Sequence, residues 1–183
     1  MADDVTAEDW VILGVALLRR EGPASLDVAE LCGRLGCDIA DFRTHFTDRG
    51  TYALAVARHW ADGVEAAAQD ARRGKKPSER LLAMLALGVE ADVNLERGVR
   101  ALAADHPEVA ALVRGADDRH ELVLTTDLAA VYGLKGEEAQ EFGRVLHALH
   151  VAAMTRPAAE AKTWGAGPAR AITALLGSNF PIE

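Results

Sequence analysis

Cysteine, aromatic residues and long apolar runs are all scarce in this chain. Cys32 and Cys37 are the only cysteines among 183 residues. Their C-x4-C spacing is that of neither a zinc knuckle nor a C-x-x-C redox pair, and Cys32 falls on an apolar helical face, so both read as reduced packing residues. Aromatic residues make up 5% of the chain. With β-branched runs nearly absent and Ala and Leu recurring throughout, this composition predicts an all-α fold without a sheet. No stretch approaches the ~18 uninterrupted apolar residues of a membrane-spanning helix. The N-terminus is acidic where a signal peptide would be basic, so we expect a cytoplasmic protein with no membrane partner. Positive charge is also in deficit. A net charge of -8 argues against clinging to nucleic acid through bulk charge, while leaving room for a local basic patch. There is no P-loop, no G-x-G-x-x-G after a strand, no G-x-S-x-G and no H-E-x-x-H. We therefore expect no enzyme activity, no cofactor and no metal.

What the chain does have is apolar residues, half of the total, which is ample for a buried core. Capping chemistry divides it into about nine helices. Thr6 with Asp9 is a capping-box start for a helix ending near Glu21, with Gly22-Pro23 after it. Asp27 with Glu30 has the same relation ahead of a short amphipathic stripe, Val28, Leu31, Cys32 and Leu35, which Gly36 closes. Asp38 can cap a third helix that buries Phe42 and Phe46 and leaves Ile39, Ala40, Arg43 and Thr44 outward. Thr47, Asp48 or Thr51 can cap a long fourth helix reaching roughly Arg73, and Gly74-Lys75-Lys76-Pro77 reads as a linker. Further helices are expected from Pro77 on, over 95–104, over 107–132 closed by Gly133, over 137–155, and over 169–176 closed by Gly177. The second and third helices, joined by a turn of a few residues, outline a helix-turn-helix.

The string L-D-V-A-E-L-C-G-R-L-G-C-D-I-A-D-F-R-T-H-F-T-D-R, from Leu26 to Arg49, resembles the DNA-binding domain of the tetracycline-repressor-like (TetR) regulators. The approximate pattern there is L-T-V-x-x-L-C-x-x-L-G-V-T-x-G-S-F-Y-x-H-F-x-D-R. The likeness covers about the first 60 residues, and R-A-L-A-A-D-H-P-E-V-A-A-L-V later resembles the C-terminal region of the same family more loosely. The resemblance implies a helix-turn-helix domain over residues 1–50 and a helical ligand-binding and dimerisation domain over 51–183. It further implies a homodimer whose recognition helices enter successive major grooves of operator DNA. A small apolar ligand would release such a regulator, acting as a repressor, from its operator. Carried over, the DNA-facing set is Arg34, Ile39, Ala40, Arg43, Thr44, His45 and Arg49. Met84, Leu85, Leu102, Leu112 and Leu122 come from helices that surround the ligand in this family, although such spacing is more often ordinary core.

The scaffold positions Val28, Leu31, Cys32, Leu35, Gly36, Phe42, His45 and Phe46 match the pattern, while several outward ones depart from it. Asp27, Asp38 and Asp41 stand where hydroxyl residues are common, and Arg43 where the pattern has Tyr. From Met1 to Trp60 there are six arginines, no lysine and ten carboxylates, a balance of -4. N-capping accounts for Asp27, Asp38 and Asp48; Asp41 could accept from cytosine N4 and Ile39 touch a thymine methyl. The alternative is a TetR-fold protein-interaction or lipid-binding homodimer that has lost operator recognition. His147 and His150 lie one turn apart, a spacing that can bind metal but more often belongs to core or interface. The charges around His120 read as a solvated face or inter-helix ion pairs.

Overall fold

The computed structural model describes residues 5–154 and residue 174. Among the described residues the chain forms eight α-helices and no strand. These are α1 (Ala7–Glu21), α2 (Val28–Leu35), α3 (Ile39–His45), α4 (Arg49–Arg72), α5 (Pro77–Glu90), α6 (Val93–Asp105), α7 (Pro107–Tyr132) and α8 (Gly136–Met154), with a 3-10 turn at Pro23–Ser25. The expected helix over 169–176 lies outside the described residues apart from Ala174, which is helical. No helix among the described residues is long and apolar enough to cross a membrane.

Local chemistry sets most of the boundaries. Thr6 and Asp9 cap each other's backbone N–H at the start of α1, at 3.2 and 2.9 Å. Asp48 and Thr51 do the same for α4, which settles the choice among three candidate caps in favour of Asp48. The predicted box at α2 is only half formed. Asp27 accepts from Ala29 and Glu30 N–H, but the Glu30 carboxylate turns to the Arg34 guanidinium, a charged donor that outcompetes the backbone amide.

Two compact units result. The first comprises Met1–Gly63 with Asn94–Arg114, the second Val64–Val93 with Gly115–Glu183. Helices α4 and α7 therefore each contribute to both, and the unit boundary falls on Gly63 in one and beside Gly115 in the other.

In the first unit Trp10, Leu17, Leu18, Leu26, Leu31, Phe42, Tyr52 and Val56 are buried. The rings of Trp10, Phe46 and Tyr52 sit around Phe42 with centroids 5.3 to 5.6 Å away, mostly edge to face. Tyr52 Oη donates to the Trp10 carbonyl at 2.7 Å, and burial raises its phenol pKa well above the ordinary value. Helix α6 closes on this core where Gly98 lets the Leu18 side chain and carbonyl approach; a Cβ there would meet both within 3.0 Å. Buried Glu96 accepts from Trp60 Nε1 at 2.9 Å and pairs with Arg100 at 2.7 Å.

The second unit packs Leu81, Met84, Leu124, Leu128, Tyr132, Leu134, Ala139 and Leu146 into one cluster. Within it α7 and α8 meet at Gly143, where any side chain would collide with Thr125. Asp127 is completely buried and takes two guanidinium groups, Arg72 from α4 and Arg80 from α5. Arg119 to Glu65 and Arg144 to Glu121 add inter-helix ion pairs at 3.0 and 3.4 Å, as the charges around His120 suggested.

Candidate nucleic-acid interface

Helices α2 and α3 are joined by a turn that Gly36 makes possible. Its φ of 69° is left-handed, a region closed to most side chains, and its N–H reaches the Cys32 carbonyl. Cys37 N–H donates to the same carbonyl at 3.2 Å, completing a two-donor helix stop that brings Cys37 over Cys32. Both cysteines are free thiols, Cys32 buried and Cys37 half-buried, and burial pushes the Cys37 thiol up, which keeps it protonated.

Asp38 then starts α3. Its Oδ1 accepts from Ala40 N–H at 2.7 Å and Asp41 N–H at 3.0 Å. Asp41 Oδ2 accepts in return from Asp38 N–H at 2.8 Å. This reciprocal box explains Asp41, whose carboxylate serves the helix start. It also fills the α3 N-terminus with a carboxylate, where a phosphate would otherwise find free N–H groups.

Beyond the box, α3 buries Phe42 and exposes the other predicted positions. Ile39 is 52% exposed, and Ala40, Arg43, Thr44 and His45 are exposed as well. Arg43 has no ion-pair partner among the described residues, while Thr44 Oγ1 donates to the Asp41 carbonyl at 2.7 Å. The remaining predicted contacts are already engaged. Arg34 reaches Glu30 at 2.6 Å and Glu21 at 3.1 Å, and hydrogen bonding to Glu30 first, with the field of Glu21, raises its pKa further. Arg49 donates from Nη2 to the Pro23 carbonyl at 3.1 Å, and His45 Nε2 lies 2.9 Å from the Val5 carbonyl. The structure thus brings Ile39, Ala40, Arg43 and Thr44 together on one free face and ties Arg34, His45 and Arg49 to neighbouring backbone or carboxylates.

The predicted ligand residues fall in different places. Met84 is buried in the second unit's cluster with Leu85 packed against it. Leu122 is 65% exposed on α7, and Leu102 and Leu112 belong to the first unit. Sequence reading missed His120 as the neighbour of His147 and His150; the three rings stand 4.9 to 6.2 Å apart, and His147 pairs with Asp117 at 3.5 Å. No group of three or more histidine, cysteine or carboxylate side chains among the described residues is arranged to hold a metal ion. It also missed Asp127, whose signal was a lone carboxylate within the apolar run V-L-T-T-D-L-A-A-V-Y.

No family model and no curated protein matches this sequence. Solved structures do match it along nearly the whole chain. A transcriptional regulator from Rhodococcus sp. Rha1 is 19% identical with a TM-score of 0.79, the match covering 97% of this chain and 99% of that one. A transcriptional regulator from Saccharomonospora viridis, solved in complex with choline, is 15% identical with a TM-score of 0.78, covering 97% of each. A TetR-family regulator from Agrobacterium tumefaciens is 20% identical with a TM-score of 0.63, covering 88% of this chain and 94% of that one. The chain has the fold of the TetR-family transcriptional regulators.

Proposed function

We propose, with that fold as the premise, that the chain is a homodimeric DNA-binding transcription regulator acting in the cytoplasm. Residues 1–50 form its DNA-binding domain and residues 51–183 its ligand-binding and dimerisation domain. The observation that carries the reading is the free face of α3, where Ile39, Ala40, Arg43 and Thr44 stand outward on a helix fixed at both ends. An exposed arginine beside small and apolar side chains suits major-groove readout, with guanine O6 and N7 for Arg43 and a thymine methyl for Ile39. Two copies spaced about 34–36 Å apart would read successive major grooves. A small apolar ligand in the C-terminal domain, near Met84 and Leu85, would act by favouring a different spacing and releasing the repressor. The choline complex of the Saccharomonospora regulator supports a small-molecule effector by likeness of fold.

The test is titration of the protein against DNA from upstream of its own gene at low salt. A sequence-selective complex that Arg43→Ala weakens by about 1–3 kcal/mol per half-site is the expected result. Absence of any selective complex would overturn the reading. That result would favour a TetR-fold interaction or lipid-binding homodimer without operator recognition. The observation behind this second reading is that, of Arg34, Arg43 and Arg49, only Arg43 lacks an intramolecular partner among the described residues.

A further inference from the structure

The turn between α4 and α5 inverts the charge of the protein. Arg72, Arg73, Lys75, Lys76 and Arg80 put five cations into nine residues of a chain whose net charge is -8, with Glu79 the only carboxylate among them. A run of this kind is ordinarily a solvated surface. Here part of it is drawn inside. Arg72 donates from Nε and Nη2 to the Asp127 carboxylate at 3.1 and 3.2 Å, and Arg80 from Nε at 2.8 Å, while Asp127 itself is 0% exposed. The two arginine side chains are only 24% and 27% exposed, so among the described residues two largely buried guanidinium charges share one counter-charge. A charge held out of water without a partner is unfavourable, and an anion beside the pair would relieve it.

The lysines stand next to that surplus. Arg80 Nη1 donates to the Lys75 carbonyl at 3.4 Å, which ties the turn to one of the two guanidinium groups. Lys75 and Lys76 are exposed and their ammonium groups have no ion-pair partner among the described residues. Glu79 is committed to Lys76 N–H at 3.0 Å, and Asp70 pairs with Arg73 at 2.7 Å on the open surface. Among the described residues, the five cations set against Asp70, Glu79 and Asp127 leave two positive charges over.

We infer that the α4–α5 turn is a binding site for a small dianionic or more highly charged phosphate compound, a phosphomonoester or diphosphate. Planar guanidinium groups suit phosphate oxygens, the flexible lysines add point charge at the rim, and a surplus of two is matched by a dianion. A monocarboxylate would leave the site half neutralised. The site shares no residue with the face of α3 and does not depend on operator binding.

The experiment is calorimetric titration of the full chain with inorganic pyrophosphate, with acetate, a monocarboxylate, at matched ionic strength as the control. Saturable binding of pyrophosphate is expected, weakened about tenfold in Lys75→Gln/Lys76→Gln, the order given by two partly screened charges. That variant alters only exposed side chains and is expected to melt with the wild type, and Arg43→Ala is expected to bind pyrophosphate normally. No saturable heat, equal binding of acetate, or undiminished affinity in the double lysine variant overturns the inference. So does binding to phosphatidylserine vesicles that pyrophosphate fails to displace, which would assign the turn to a lipid surface.

Discussion

Replacing Glu21 and Glu30 together by glutamine would release Arg34 from both of its ion pairs. The side chains involved are 34% to 43% exposed, so solvent already screens the pairs and the fold is expected to persist with little change in melting temperature. The effect on DNA should be large by comparison. Each phosphate neutralised steepens the dependence of log K on log salt by about 0.9, and at about 0.1 M salt is worth up to roughly eightfold in affinity. One arginine freed per protomer therefore predicts a dimer whose salt slope is steeper by up to about 1.8 and whose affinity rises by at most about 60-fold. Because Arg34 keeps some attraction for phosphate while paired, we expect about 5- to 20-fold. The assay is fluorescence anisotropy with a labelled upstream fragment between about 50 and 200 mM salt. Adding Arg34→Gln to the double variant separates two causes. If the gain survives that third change, it comes from removing negative charge and not from a phosphate contact by Arg34, and the assignment of Arg34 to the DNA face fails.

Other consequences can be measured without DNA. Asp127→Asn leaves two guanidinium groups facing a neutral amide and should destabilise the protein by about 2–3 kcal/mol in urea unfolding, toward the lower end for a broken buried pair because both arginines reach solvent. Gly98→Ala forces a methyl against the Leu18 side chain and carbonyl, and should cost about 1–3 kcal/mol by the same measurement; an unchanged midpoint would mean that α6 is not seated as described. Tyr52 retains its proton when folded at a pH where the unfolded chain has lost it, so its contribution to stability is complete below the ordinary tyrosine pKa and declines above it. Stability should accordingly fall by up to about 1.4 kcal/mol per pH unit above roughly pH 10, with a shallower decline in Tyr52→Phe.

Much of the fold was readable because helix ends are local. Thr6, Gly36, Pro107 and Gly133 each act within a few residues of themselves, and each marks the boundary that its chemistry requires. The role of Asp41 was within the same reach, since Asp38 and Asp41 have the spacing of Thr6 and Asp9, but an outward carboxylate on a helix that matches a DNA-reading pattern also suits a base contact, and spacing does not choose between the two. Glu30 and Arg34 were different. Their pairing competes with a cap and recruits Glu21 from thirteen residues away, which only the packing of α1 beside α2 decides. Periodicity likewise marked Leu102 and Leu112 as apolar-face residues but carries no information on which of two cores receives them.

Gly63 and Gly115 lie where α4 and α7 pass from one unit to the other. At Gly63 an added Cβ would meet nothing within 4 Å, and at Gly115 only the end of Arg119 at 3.5 Å, so crowding does not demand glycine at either place. Glycine lowers the helical preference of an interior position by about 1 kcal/mol relative to alanine and leaves more backbone open to water. Each helix therefore carries an interior position of low helical preference there. Deuterium should enter the amides flanking Gly63 and Gly115 ahead of those a turn away on either side, and Gly63→Ala with Gly115→Ala should slow that uptake while raising thermal stability.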